Sequence, residues 1–373
     1  MERMLERKPL HPAERSAQPA LVCVTGGLGY IGCSVVARLL AAGHTVHATW
    51  RHCEAQDSSA CAVKTSLDAL PGAAERLRWF TADLLEEDSF DEAITGCKFV
   101  IHTACPLIMG VPAKRAYERL VGPAVHGTQN VLRSVNRASS VEKVVMTSSA
   151  AAVYDDVPPG HTHTEIDFNL ACLQGGSYFL AKTLSEWHAW AVAGQQSRWR
   201  LVTLCPGSVV GPPIAPSYKS ASAQMVMGLV DGSQYLGAAP LGLAALCDVD
   251  DVAAAHVLAI SIPEAQGRYL LAECGTDLPT IAGMLRVMFP EHRVPTRVLP
   301  AWLVVAVLWL MGDQEGIQWV MKDFHKRPVD CNRAQMHLGL SFIPLKQSLR
   351  DMVDRMIEHG VVPRGMDNTK KAA

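Results

Sequence analysis

The run VCVTGGLGYIG at residues 22–32 constrains this chain more than any other stretch. Gly26, Gly29 and Gly32 follow a β-branched run at 21–24 and open an apolar-periodic run at 31–42 that stops at Gly43. Strand, glycine-rich turn and helix in that order form a phosphate cradle. One glycine permits the tight turn, one lets backbone approach a pyrophosphate, and one lets the helix pack on the strand. The first N–H groups of the helix then face the anion. Glycines also serve in plain turns, but here the cradle opens the first βαβ unit of an alternating chain. A dinucleotide site is the stronger reading.

That alternation continues. β-Branched runs at 45–49, 77–80, 99–103, 143–147 and 201–205 are separated by helical stretches. Near-continuous apolar strands divided by helices imply a parallel sheet covered on both faces. After Cys205 the rhythm breaks into PGSVVGPPIAP. The expected fold is α/β: a Rossmann-type, doubly wound parallel sheet with a smaller, partly interleaved C-terminal substrate lobe. The sheet domain is expected at 20–206 and the lobe at 207–362, with a segment near 245–262 returning to the sheet layer. Residues 1–19 mix both charges without an apolar run and read as a flexible tail, as does 363–373.

Composition narrows the partners. Of 373 residues, 49% are hydrophobic and the formal net charge is −2, so neither nucleic acid nor an anionic surface is favoured electrostatically. Eleven cysteines are scattered without a C-x-x-C pair, which fits buried thiols in a reducing, cytoplasmic setting. Glu2, Glu6 and Glu14 argue against a transit peptide. No metal is expected; the HTHT run at 161–164 is the nearest candidate and reads as a solvated loop. The apolar stretch 298–311 is too short to span a bilayer and contains Pro300, so it reads as a buried or interfacial helix.

The end of the second strand selects the nucleotide. NAD sites carry an acid there for the ribose hydroxyls. This chain reads HATWRH, placing Trp50 and Arg51 where the acid would stand. A guanidinium pairs with a 2'-phosphate, whereas a carboxylate repels it. NADP is therefore the expected cofactor.

Among seven tyrosines, only Tyr178 has a lysine four residues on, Lys182, in SYFLAKTLSE. On a helix the two share a face. Upstream, VVMTSSAAAVY ends a strand with Ser148 and Ser149, at the carboxyl edge where such sheets bind ligands. Hydride transfer to a carbonyl builds negative charge on oxygen and needs a proton donor. A phenol with an ammonium beside it suits that role, and a serine hydroxyl can position the carbonyl oxygen. Taken alone Tyr178 would be a packed aromatic; its context favours an active site.

From residue 20 to about 360 the chain resembles the extended short-chain dehydrogenases/reductases. It is most similar to the dihydroflavonol 4-reductase and cinnamoyl-CoA reductase group, which includes microbial aldehyde and ketone reductases. The matching stretches are VTGGLGYIG, HATWR, ADLLEEDSFDEAITGCKFVIHTACP, GTQNVL, KVVMTSSAAAVY, YFLAKTLSE, LCPGSVVGPP, DVDDVAAAH and GRYLLA. The resemblance implies Ser149, Tyr178 and Lys182 as the catalytic group, with Asn130 supporting the lysine. It implies cofactor contacts from Gly26, Gly29, Tyr30, Ile31 and Gly32 at the pyrophosphate. Arg51, and more loosely Lys64, would meet the 2'-phosphate, while Asp83 and Leu84 bracket the adenine. Thr103, Ala104 and Cys105 would line the fourth strand's edge, and Pro206 and Val209 the turn over the nicotinamide, which Tyr178 and Lys182 also reach.

The departures bear on substrate. Tyr154 stands where dihydroflavonol reductases carry an asparagine, GGS replaces the cinnamoyl-CoA reductases' NWYCY-type run, and Cys247 interrupts an aromatic–Val–His pattern. Residues 299–321 resemble an extra helical insertion, expected to cap the substrate cleft or to form an apolar exposed face. The expected function is an NADP-dependent oxidoreductase acting on a carbonyl or secondary alcohol of a hydrophobic small molecule, as monomer or homodimer. Met225, Met227, Trp302, Trp309 and Trp319 favour the hydrophobic substrate. A nucleotide-sugar epimerase or dehydratase, a 3β-hydroxysteroid-type dehydrogenase and a non-catalytic NADP sensor are the alternatives.

Overall fold

The structure, a computed structural model, describes residues 2–52, 56–106, 113–154, 160–171, 176–234, 237–312, 314–321 and 328–364. Its centre is a seven-stranded, all-parallel sheet in the order β3-β2-β1-β4-β5-β6-β9. The strands are β1 (Leu21–Thr25), β2 (Thr45–Trp50), β3 (Leu77–Thr81), β4 (Phe99–His102), β5 (Lys143–Thr147), β6 (Arg200–Pro206) and β9 (Gly267–Leu271). Six were legible as β-branched runs. The seventh, GRYLL, is short and polar at its start, and periodicity alone does not mark it.

Alternation along β1 divides the core. Val22 and Val24 pack on one face with Val36, Leu39 and Leu40 of the glycine-loop helix (Tyr30–Ala41). The helix Val249–Ser261 adds Val252, Val257 and Leu258 to that face. Cys23, between the two valines, packs on the opposite face with Val131, Leu132 and Val135 of the helix Gly122–Arg137. With both faces covered, an apolar residue is favoured at every strand position.

A second sheet, ordered β10-β8-β7, joins β7 (Ser208–Val210), β8 (Gly242–Asp248) and β10 (Cys274–Asp277). A separate core of Val226, Leu229, Ile281, Leu285, Leu349 and Met352 lies with it.

One expectation needs correction. The N-terminal segment is not a loose tail. Residues Glu2–Arg7 and Pro12–Ser16 form short helices that carry Arg7 and Glu14 inward to opposite charges. Glu14 is 0% exposed and clasps Arg38, 1% exposed, through Nε–Oε1 at 2.6 Å and Nη2–Oε2 at 2.7 Å. Arg7 meets Asp248 and Asp351, each at 2.6 Å, and Asp250; Lys8 meets Asp251 at 2.8 Å. The reason is that Arg38 and the DVDD carboxylates are held inside by helix packing and require counter-charges. Of the alternatives for the apolar stretch, the structure has the apolar exposed face: Ala301–Met311 has no buried residue. No described helix is long and apolar enough to cross a membrane. Of the expected C-terminal tail, 365–373 lie outside the described residues.

Candidate active site

The strand order reverses between β1 and β4, which opens a crevice at the carboxyl ends of the strands. The glycine loop leaves β1 there. Gly26 takes φ +71°, a left-handed conformation that favours glycine, and a Cβ on it would sit 3.0 Å from the Ala104 Cα. A Cβ on Gly32 would fall 2.1 Å from the Gly26 carbonyl oxygen and 2.9 Å from Thr103 Oγ1. No side chain occupies that space, and Gly29 caps the following helix without a side-chain bond. The first helical N–H groups, from Tyr30 onward, therefore have no intrahelical acceptors. The cradle fits a pyrophosphate. Tyr30 turns its hydroxyl away from it, donating to the Gly211 carbonyl at 2.6 Å, and Ile31 packs against the core.

Neighbouring strand ends are pinned by short polar contacts. Thr103 Oγ1 donates to the Thr25 carbonyl (2.7 Å), and Ala104 N to Thr25 Oγ1 (3.2 Å). His102 Nδ1 lies 2.8 Å from Thr25 Oγ1. Burial, and then Lys182, push His102 down to about 3, so its imidazole stays neutral. Cys105 is half-buried beside them.

In the loop after β3, Asp83 Oδ1 accepts from Leu85 N (2.8 Å), and Ser89 Oγ donates to the Asp83 carbonyl (2.7 Å). The Asn130 amide donates to the Leu84 carbonyl (2.8 Å), so it steadies that loop. Arg51 lies exposed directly after β2, whose last residue is Trp50. Lys64 is drawn elsewhere. It pairs with Asp68 at 2.7 Å, four residues on in its own helix, and lies 5.2 Å from the Trp79 ring centre. Pro206 ends β6, and Val209, half-buried in β7, pairs with Cys247; Gly207 between the strands leaves no room for a Cβ against the Ala245 carbonyl.

The helix Ser177–Ala193 carries Tyr178 and Lys182 one turn apart. The Tyr178 hydroxyl donates to Ser149 Oγ at 3.5 Å. Ser149 is extended and caps the short turn Ala150–Ala152, its Oγ accepting from Ala151 N at 3.2 Å. Lys182 is buried and donates from Nζ to the Thr147 carbonyl at 3.3 Å. Burial opposes its charge, yet Cys105 and Tyr178 beside it raise its pKa overall, so it is an ammonium. Ser148 points away, its hydroxyl donating to Glu186 Oε2 at 2.5 Å. Of the two serines, Ser149 is the one at the tyrosine.

Glu186 and its partner Arg268 were missed at the sequence level. The available signal was an acid on the Tyr178–Lys182 face of a helix otherwise rich in apolar residues. His161, His163 and Asp167 also approach: one ligand atom from each lies within 4.8 Å of the others. The Asp167 carboxylate there already accepts from Thr164 N (2.7 Å) and contacts His161 Nε2 (3.2 Å).

Comparison with known proteins identifies the family. The family model described as NAD dependent epimerase/dehydratase family matches residues 22–272. A cinnamoyl-CoA reductase, CAD2, of Medicago truncatula is 34% identical, covering 91% of this chain and 96% of its own length. A dihydroflavonol 4-reductase of Zea mays is 35% identical, covering 93% and 91%. The crystal structure of vestitone reductase from alfalfa (Medicago sativa L.) superposes with a TM-score of 0.69 at 26% identity, over 92% of this chain and all 100% of that one. A match to well over half of the chain, with relatives above 30% identity along nearly its whole length, makes this chain a member of the NAD-dependent epimerase/dehydratase family, among its extended short-chain reductases.

Proposed function

We propose that the protein is an NADP-dependent oxidoreductase that moves hydride between the nicotinamide and a carbonyl or secondary alcohol carbon of a hydrophobic small molecule. The observation that carries this is the Tyr178 hydroxyl set 3.5 Å from Ser149 Oγ. Lys182 lies on the same helix face, beside a glycine cradle that fits a pyrophosphate. When bound, the nicotinamide supplies or accepts the hydride. Ser149 orients the substrate oxygen by hydrogen bonding, and Tyr178 transfers the proton to or from that oxygen. The Lys182 ammonium stabilises negative charge on the tyrosine oxygen and would hold the nicotinamide ribose when the cofactor binds. The names of both reductase relatives support a carbonyl substrate.

Arg51 supports the 2'-phosphate form, since no acid precedes it at the end of β2. One charge-assisted hydrogen bond contributes about 1.5–3 kcal/mol, roughly a 10- to 150-fold preference. Parallel titrations should show NADPH favoured over NADH by about that factor; equal efficiency would make Arg51 a surface charge. Burial pushes the Cys33 and Cys97 thiols up to about 12, which fits inert thiols in the cytoplasm. The working unit we assign is a monomer or homodimer.

The test is Tyr178→Phe, assayed by NADPH absorbance with benzaldehyde, cinnamaldehyde and acetophenone. The wild-type enzyme should reduce at least one of them. The variant should keep its fold and its NADPH affinity while losing about 100-fold or more in turnover. Near-normal turnover in the variant would reject the assignment.

A further inference from the structure

Three successive residues at the end of β5 are gripped by one stripe of the catalytic helix. Lys182 holds the Thr147 carbonyl, Glu186 holds the Ser148 hydroxyl, and Tyr178 holds Ser149 Oγ. Tyr178, Lys182 and Glu186 are spaced by four, so they line one helix face. Neighbouring side chains of an extended segment point to opposite sides. Ser148 thus turns down to the carboxylate while Ser149 turns up to the tyrosine.

Glu186 is fully buried, and a buried carboxylate is costly unless paired and hydrogen-bonded. Arg268 supplies Nε at 2.7 Å and Nη2 at 3.2 Å, the Thr203 hydroxyl donates at 2.8 Å, and the Trp190 indole at 3.1 Å. Arg268 also donates to the carbonyls of Ala152 (3.3 Å), Glu165 (2.9 Å) and Asp167. Those carbonyls belong to the chain that runs on from Ser149. Helix, strand end and following segment all hang from one ion pair.

We propose that Glu186, held by Arg268, is a positioning residue for proton transfer, setting Ser149 beside Tyr178 through its bond to Ser148. This rests on the reading of Ser149, Tyr178 and Lys182 as the catalytic group. An ion pair that only stabilised the fold would be indifferent to which of its hydrogen bonds is cut. A latch is not indifferent, because the Ser148 bond leads to Ser149 whereas the Thr203 bond leads into β6.

The experiment compares Ser148→Ala with Thr203→Val in the full-length enzyme, each removing one hydroxyl donor from the same carboxylate. The probe is whichever of benzaldehyde, cinnamaldehyde or acetophenone the wild-type enzyme reduces fastest, at saturating NADPH. Misplacing a reacting group by a fraction of an ångström costs about 10- to 100-fold, so Ser148→Ala should lose about 10-fold or more in kcat at unchanged KM for NADPH. Thr203→Val should stay within about twofold of wild type, and Ser148→Thr, which retains the hydroxyl, should recover most of the loss. Thermal midpoints report the fold of each variant. Full kcat in Ser148→Ala, or equal losses in Ser148→Ala and Thr203→Val, would overturn the latch while an inactive Tyr178→Phe leaves the catalytic reading standing. Near-normal turnover in Tyr178→Phe would overturn both.

Discussion

The N-terminal arm and the helix Ala301–Met311 invert the usual relation between polarity and burial. The arm is rich in charge, yet Glu14 is 0% exposed and Arg7 is enclosed by three aspartates. The helix AWLVVAVLWLM has no polar side chain, yet Trp302 is 71% and Trp309 65% exposed. The difference teaches that burial follows the partner available. Arg38 is carried into the interior by a helix that must pack Val36 and Leu40 on β1, so a carboxylate has to follow it. The apolar helix has no such obligation to this chain. Exposed apolar area on this scale is the kind of surface that associates with something else.

The largest effect is expected where the arm is held. Glu14→Gln keeps the shape of the side chain but leaves the Arg38 guanidinium buried without its counter-charge. Breaking one partner of a buried pair costs about 3–5 kcal/mol. Denaturant unfolding should show a loss of that size, and Glu14→Gln combined with Arg38→Met should recover part of it. A loss below about 1 kcal/mol would mean that the arm detaches readily, as its composition first suggested.

What the sequence made legible, and what it did not, follows the same line. Six of seven sheet strands and the glycine loop are local patterns, carried by β-branched runs and by glycines at fixed spacing. Tyr178 and Lys182 are legible because one helical turn puts them together; the strand end offers Ser148 and Ser149 alike, and only their contacts, with Glu186 and with Tyr178, separate them. Glu14 with Arg38, Arg7 with Asp248, and Glu186 with Arg268 are pairings between residues distant in sequence. No local period links them. Asn130 and Lys64 rest on residue type matched to a family role, and their partners in the structure, the Leu84 carbonyl and Asp68, are ones no local pattern gives.

A second effect, smaller and dependent on pH, sits at the same arm. Burial and then Asp248 push Asp250 up to about 7, against the opposing pull of Arg7. The sign follows from proton counting. Between about 4 and 7 the folded state holds a proton on Asp250 that the unfolded state has released, so this group's contribution to stability falls as pH rises through that window and is flat above it. Arg7→Met removes the charge that restrains the shift, so the folded pKa should rise further. Each additional unit costs about 1.4 kcal/mol at high pH and nothing at low pH. Unfolding curves at pH 5 and pH 8 should therefore show wild type and Arg7→Met diverging as pH rises. A constant gap would assign the arm's hold to packing instead of charge.

The smallest effect is expected at the apolar helix, and its smallness is the point. In Trp302→Gln with Trp309→Gln, two rings already largely in water give way to polar side chains of equal or better helix propensity. Substitutions at such sites change stability by about 0.5 kcal/mol or less, against the several expected at Glu14. The unfolding free energy should therefore be unchanged within that margin, while self-association and binding of a hydrophobic dye should fall because exposed apolar area has been removed. If the double variant is instead destabilised by more than about 1 kcal/mol, those rings are buried in solution. A loss that fades on dilution would then assign their cover to a second copy of the chain, because only association depends on protein concentration. A loss independent of concentration would mean the helix folds back onto its own chain, and the contrast between the charged arm and the apolar helix would disappear.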